Sequence, residues 1–157
     1  MQNFAVVFNE VMKWRTKETG MLEGRIENLY IIGSTGAVSD DVAAEAAYWS
    51  QMKDVRIAGK DRYETNTAVN AMFNSERTKS LCVATGSDFP DALVGGVLAG
   101  RNYMPVVFVN GKAKNLKLSD TQKEFLFQRR SGKVYVLGGE GAVPSSHVDT
   151  ILKEMNG

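Results

Sequence analysis

Val134-Tyr135-Val136-Leu137-Gly138-Gly139-Glu140-Gly141-Ala142-Val143, followed by Pro144-Ser145, echoes an earlier stretch about 105 positions upstream. That stretch is Leu29-Tyr30-Ile31-Ile32-Gly33-Ser34-Thr35-Gly36-Ala37-Val38-Ser39. Each reads as an apolar strand, a glycine turn and a helix start. A second echo keeps the same order, with Ala5-Val6-Val7-Phe8 matched by Pro105-Val106-Val107-Phe108. The blocks between the echoes, Asn9 to Asn28 and Gly111 to Lys133, are highly charged. Residues 54–104 have no counterpart before Met1. Self-similar blocks that recur in the same order, here at offsets of about 100 and 105 positions, mark one structural unit used more than once. The chain reads as about one and a half repeats: residues 1–52 are the second half of one, and residues 53–157 are a complete one.

Within the complete repeat, apolar runs alternate with helical patterns. Val55–Ala58, Leu81–Ala84, Val106–Val109 and Val134–Leu137 are short runs rich in Val, Ile and Leu, as in strands buried on both faces. Helix starts follow them. Asp61 and Glu64 form an Asp-x-x-Glu capping pattern for a helix running to about Ser75. Pro90 suits a first helical position, with Asp91 beside it. Ser119-Asp120 opens the next helix, and Ser145 caps the last, whose inner stripe is Val148, Ile151, Leu152 and Met155. In the first half, Ser39 opens a helix with Val42, Ala46, Trp49 and Met52 facing inward. Strands alternating with helices across short connections imply right-handed crossovers. The fold class is α/β, a Rossmann-like parallel sheet flanked by helices.

Composition excludes several functions. At 157 residues the chain is long enough to bury a core without covalent staples. A formal net charge of +1 gives no global hold on nucleic acid, and none is expected as a partner. Cys82 is the sole cysteine, so no intramolecular disulfide forms, and Leu81-Cys82-Val83 reads as buried strand. With one cysteine and one histidine, hydrolytic zinc chemistry and a metal centre are not expected. The longest apolar run, Ala92–Gly100, is about half of what spans a bilayer, so membrane insertion is not expected. No export signal opens the sequence.

The strand-glycine-helix turns are the natural place to test for phosphate binding, because helix amides point outward there. Neither Gly33-Ser34-Thr35-Gly36 nor Gly138-Gly139-Glu140-Gly141 completes the dinucleotide pattern, and Glu140 would repel a phosphate. Arg56 stands where an arginine can meet a 2′-phosphate, yet no residues for hydride chemistry follow. No cofactor is expected. In Thr85-Gly86-Ser87-Asp88-Phe89-Pro90-Asp91, the two carboxylates read as a turn cap and a helix start, or as oxygen ligands for a cation. His147 reads as a solvated residue in the first turn of a surface helix, without the geometry for nucleophilic catalysis. No catalytic residue is assigned. Two basic groups remain. Arg56, Lys60 and Arg62 cluster with Asp61 and Glu64, offering forks to an anionic partner or closing a salt-bridged loop. Lys112, Lys114, Lys117, Lys123, Arg129, Arg130 and Lys133 are opposed only by Asp120 and Glu124.

Three motifs stand in order. They are Arg56-Ile57-Ala58-Gly59-Lys60-Asp61-Arg62-Tyr63-Glu64-Thr65, then Ala84-Thr85-Gly86 with Phe89-Pro90-Asp91-Ala92-Leu93, then Leu137-Gly138-Gly139-Glu140-Gly141-Ala142-Val143. Together they resemble the type 2 cell-wall-binding repeat of Gram-positive, especially clostridial, surface proteins, over about residues 54–155. The resemblance implies a non-catalytic, Rossmann-like anchoring module at the cell surface, of the sort that holds surface-layer proteins and wall enzymes. Its implied ligand is an anionic wall polymer of teichoic-acid type. Such repeats usually come in threes, so neighbouring repeats or a homo-oligomer are the implied protein partners. Polymer-binding candidates are Arg56, Lys60, Arg62, Lys112, Lys114, Arg129 and Arg130. Gly59, Asp61, Tyr63, Glu64, Gly86, Phe89, Pro90, Asp91, Gly138, Gly139 and Gly141 are motif positions read as structural. The competing readings are a nucleotide- or sugar-phosphate-binding enzyme or sensor at the glycine turns, and a pure assembly domain.

Overall fold

A computed structural model describes residues 28–73, 78–130 and 132–157. The Ala5–Phe8 echo and the helix end near Ser75 lie outside these residues. Strands and helices alternate in the order β1 (Leu29–Ile32), α1 (Asp40–Ser50), β2 (Asp54–Ile57), α2 (Arg62–Met72), β3 (Leu81–Thr85), α3 (Pro90–Arg101), β4 (Val106–Val109), α4 (Asp120–Phe127), β5 (Val134–Leu137) and α5 (Ser145–Asn156). The strands form two small sheets, β1-β2 and β4-β3-β5. The chain divides into two compact units, which among the described residues comprise 28–31 with 35–56, and 32–34 with 57–157. Among the described residues no helix is long and apolar enough to cross a membrane.

The larger unit is organised by β3, which is buried at all five positions and runs parallel to both neighbours. Because side chains alternate across a strand, β3 feeds two cores. Leu81 and Val83 join Val107, Val109, Phe125, Leu126, Val143, Ile151 and Met155. Cys82 packs on the other side with Ala99 and Met104. Burial of each large aliphatic side chain contributes about 1.5–3 kcal/mol. The neighbouring strands are less enclosed than the sequence implies. Tyr135 and Val136 of β5 are exposed, since only the central strand of three has neighbours along both edges.

Helix starts follow their side chains with some exceptions. Ser119 and Gln122 form a reciprocal capping box at α4. Pro90 is at the start of α3, but neither nearby carboxylate caps that helix; Asp88 Oδ1 instead accepts from the Phe89 N–H at 2.9 Å. Ser145 is not the cap of α5. It is the first helical residue, Pro144 holds the cap position, and the inner stripe is His147, Ile151 and Met155 with Leu152 exposed.

In the smaller unit, Ser39 caps α1 by accepting from the Val42 N–H. The buried positions of α1 are Ala43, Ala46 and Ser50; of the expected stripe, Ala46 is buried, Val42 and Met52 are half-buried, and Trp49 is exposed. Small side chains let α1 approach Ile31 of β1 closely, which a Trp49-centred face would prevent.

Candidate functional site

The first motif is a loop clamped onto its own helix. The Gly59 N–H donates to Thr65 Oγ1 at 2.9 Å, and the Lys60 N–H donates to Glu64 Oε2 at 3.1 Å. Asp61 Oδ1 accepts from the N–H groups of Tyr63 and Glu64. Half of the expected capping box is thus present, with Glu64 reaching Lys60 instead of Asp61. A side chain at Gly59 would collide with the Glu64 and Thr65 backbone.

Each motif then touches the next. Arg62 Nη1 donates to the Gly86 carbonyl at 2.8 Å, and a Cβ on Gly86 would stand 2.7 Å from Tyr63 Cε1. Gly86 in turn donates its N–H to the Val109 carbonyl. At the third motif, Gly138 has φ 108°, and a Cβ there would stand 2.5 Å from Asp91 Oδ2. Arg62 and Tyr63 therefore meet Gly86, and Asp91 meets Gly138, all at the carboxyl ends of β3 and β5. Gly139 and Gly141 differ, since a Cβ at either meets nothing within 4 Å. Phe89 and Pro90 are exposed.

The turn after β5 is filled from within. Glu140 accepts from the Ser145 hydroxyl at 2.6 Å and from the Ser145 N–H at 2.9 Å. These two bonds hold its carboxyl below the usual carboxylate range, the hydroxyl contributing most. An anion at the start of α5 would have to displace this built-in carboxylate, which weighs against a phosphate at that turn. In the sequence Glu140 reads as a repelling charge; in the fold it is the hydrogen-bond acceptor for the first residue of α5.

The basic candidates separate. Arg56, in the smaller unit, donates to the Val38 carbonyl at 2.9 Å and pairs with Asp40 at 3.1 Å. Lys60 is solvent-facing, 4.0 Å from Glu64. Arg129 is 3% exposed, donating to the Thr78 carbonyl and lying 4.7 Å over the Phe125 ring. Burial pulls its guanidinium below the ordinary arginine value. That burial corrects its reading as a surface contact: the α4 turn folds it inward. Arg130 is exposed and stacked on Phe127. Lys112, Lys114 and Lys117 are exposed on the loop after β4, with no ion-pair partner among the described residues. This loop borders a cavity of about 510 Å³ lined by Asp61, Tyr63, Phe108, Asn110, Asn115 and Lys117, among others. Arg130 follows the far end of α4, about 12 Å along that helix, so the basic residues between Lys112 and Lys133 do not all stand together.

His147 is also corrected. It is 1% exposed, and its Nε2 lies 3.0 Å from the Ala113 carbonyl. The ring ties α5 to the lysine-bearing loop, a long-range contact that the adjacent serines do not signal. Cys82 is buried as expected, and burial pushes its thiol up. No group of three or more His, Cys, Asp or Glu side chains is arranged to hold a metal among the described residues.

The family described as Cell wall binding domain 2 (CWB2) matches residues 56–148, more than half of the chain and all three motifs. The chain belongs to the CWB2 family. CWB2 is a family of binding domains, and its proteins are associated with the cell surface. Two solved structures share the fold. Cwp8 from Clostridium difficile superposes with a TM-score of 0.66 at 20% identity, covering 82% of this chain and 20% of its own. Cwp6 from Clostridium difficile gives 0.67 at 23% identity, covering 80% and 19% respectively. The chain thus spans about a fifth of the length of either. No curated protein matches it.

Proposed function

We propose that this CWB2 chain is a non-catalytic module that anchors a surface protein to the wall by holding an anionic polymer of the teichoic-acid class. The observation that carries this reading is the loop after β4. Lys112, Lys114 and Lys117 present three cations with no ion-pair partner among the described residues, on a loop that borders a cavity with Asp61, Tyr63 and Phe108 in its wall. A repeating polyanion gains from several such weak contacts at once, each screened by salt. Lys60 and Arg62 precede that wall on the same loop-and-helix element, and Arg62 keeps free donors beyond the one given to Gly86. Arg56 is read as a strut, and Arg129 as core.

Residues 1–52 are read as the second half of a preceding repeat, and residues 53–157 as a complete one. Neighbouring repeats or further copies are the proposed protein partners. The exposed apolar face of α3, comprising Leu93, Val94, Val97 and Leu98, supports this packing role.

Co-sedimentation with purified Gram-positive walls tests the reading, before and after acid extraction of the anionic polymers. Binding is expected to intact walls at low salt, to fall at 1 M salt where the screening length is about 3 Å, and to vanish after extraction. Equal binding to extracted walls would overturn the polymer assignment.

A further inference from the structure

The outer edge of β5 is the most specific unfilled feature of the larger unit. Leu81 donates its N–H to the Lys133 carbonyl, and Tyr135 is in register with Cys82. In a parallel ladder the N–H and C=O of one residue point to the same side, and successive residues alternate. Lys133, Tyr135 and Leu137 therefore face β3, while Val134, Val136 and Gly138 face away. The Gly138 N–H has no acceptor among the described residues.

The first half of the chain shows what belongs at such an edge. Gly33 is the counterpart of Gly138, with φ 112° against 108°. The Gly33 N–H donates to the Ile57 carbonyl at 2.8 Å, and β1 pairs with β2. Arg56 of β2 then reaches the Val38 carbonyl and Asp40. At the counterparts of Val38 and Asp40 stand Val143 and Ser145, and the Glu140 carboxylate is hydrogen-bonded to Ser145. An acid is thus supplied there by a different residue. β2 starts at Asp54, 22 positions after Ile32 ends β1; the same interval after Leu137 reaches position 159, past Gly157.

We infer that the outer edge of β5 docks the opening strand of a following repeat, a β2-like segment carrying an arginine that pairs with Glu140. Edge strands expose unpaired backbone groups that such an added strand satisfies. The half-repeat and the complete repeat then share one rule: a repeat's last strand is completed by the first strand of the next.

The test appends a second copy of residues 53–73 directly after Gly157 and follows amide hydrogen exchange by NMR. Exchange at Val136 and Gly138 is expected to slow at least tenfold, with Tyr135, already facing β3, as the internal reference. Ile57→Pro in the appended copy alone removes a strand donor and should abolish the slowing. A synthetic peptide of residues 53–60 added to the unextended chain gives the same readout should the extension impair folding. Unchanged exchange at both amides in either format would overturn the inference. So would slowing that survives the proline, or slowing in the unextended chain that grows with its concentration, which would assign the edge to a second copy.

Discussion

Arg62 and Gly86 are joined by a 2.8 Å hydrogen bond from guanidinium to carbonyl, across 24 residues of sequence. The bond holds the start of α2 against the end of β3, and Tyr63 seals the same contact over the Gly86 Cα. Arg62→Ala should lower stability by about 1 kcal/mol, below the range for a buried charged donor because the site is exposed. Chemical denaturation measures it; an unchanged midpoint would show that the contact is incidental.

Gly138 and Gly139 are neighbours in one motif with opposite tolerances. Gly138→Ala meets both a left-handed φ and Asp91, and should cost about 1–3 kcal/mol. Gly139→Ala finds open space and should remain within about 0.5 kcal/mol of the parent. Equal losses in thermal denaturation would refute this assignment.

Glu140 makes stability depend on pH. Its folded value lies below the unfolded one because Ser145 hydrogen-bonds the charged form. The contribution is therefore complete above the ordinary carboxylate range and is lost as pH falls through the folded value. Ser145→Ala and the parent should differ at pH 7 and converge in acid, as followed by denaturant midpoints across that range. A gap independent of pH would remove Glu140 as the cause.

Arg129 and Arg130 should respond differently despite adjacency. Arg129→Ala removes a buried donor and its packing on Phe125, and should destabilise by about 2–4 kcal/mol. Arg130→Ala should lie within about 0.5 kcal/mol of the parent. The comparison needs only two denaturation curves, and reversed losses would overturn it.

Neutralising Lys112, Lys114 and Lys117 together to Ser should weaken wall binding at least tenfold at low salt, with the melting temperature unchanged. None of the three has an ion-pair partner among the described residues, so folding should not notice their loss. Undiminished co-sedimentation would move the polymer away from this loop.

Much of this was legible in sequence because it is local. Strand runs, the Ser39 and Ser119 caps and the buried Cys82 depend on neighbours a few residues away. The misread positions depend on partners far along the chain. His147 looked like a surface residue beside two serines until Ala113, 34 positions earlier, came within reach. Arg129 looked like one cation in a run until the end of α4 turned it onto Phe125 and Thr78. Glu140 and Ser39 show the same limit from another side. The echoing turns after β1 and β5 satisfy the first N–H groups of their helices with different residues, and only the folded turn reveals the substitution.

By itself, the sequence determined the internal echo of Leu29–Ser39 in Val134–Ser145, the alternation of strands and helices, and the family, since all three are written in spacing and residue type along the chain. Tertiary structure decided which motif residues touch, which arginine is core and which lysines have no ion-pair partner among the described residues. Those outcomes turn on burial and on hydrogen bonds closed between distant segments. Such contacts are set by the geometry in which β3 and its neighbours pack, and no interval in the sequence encodes them.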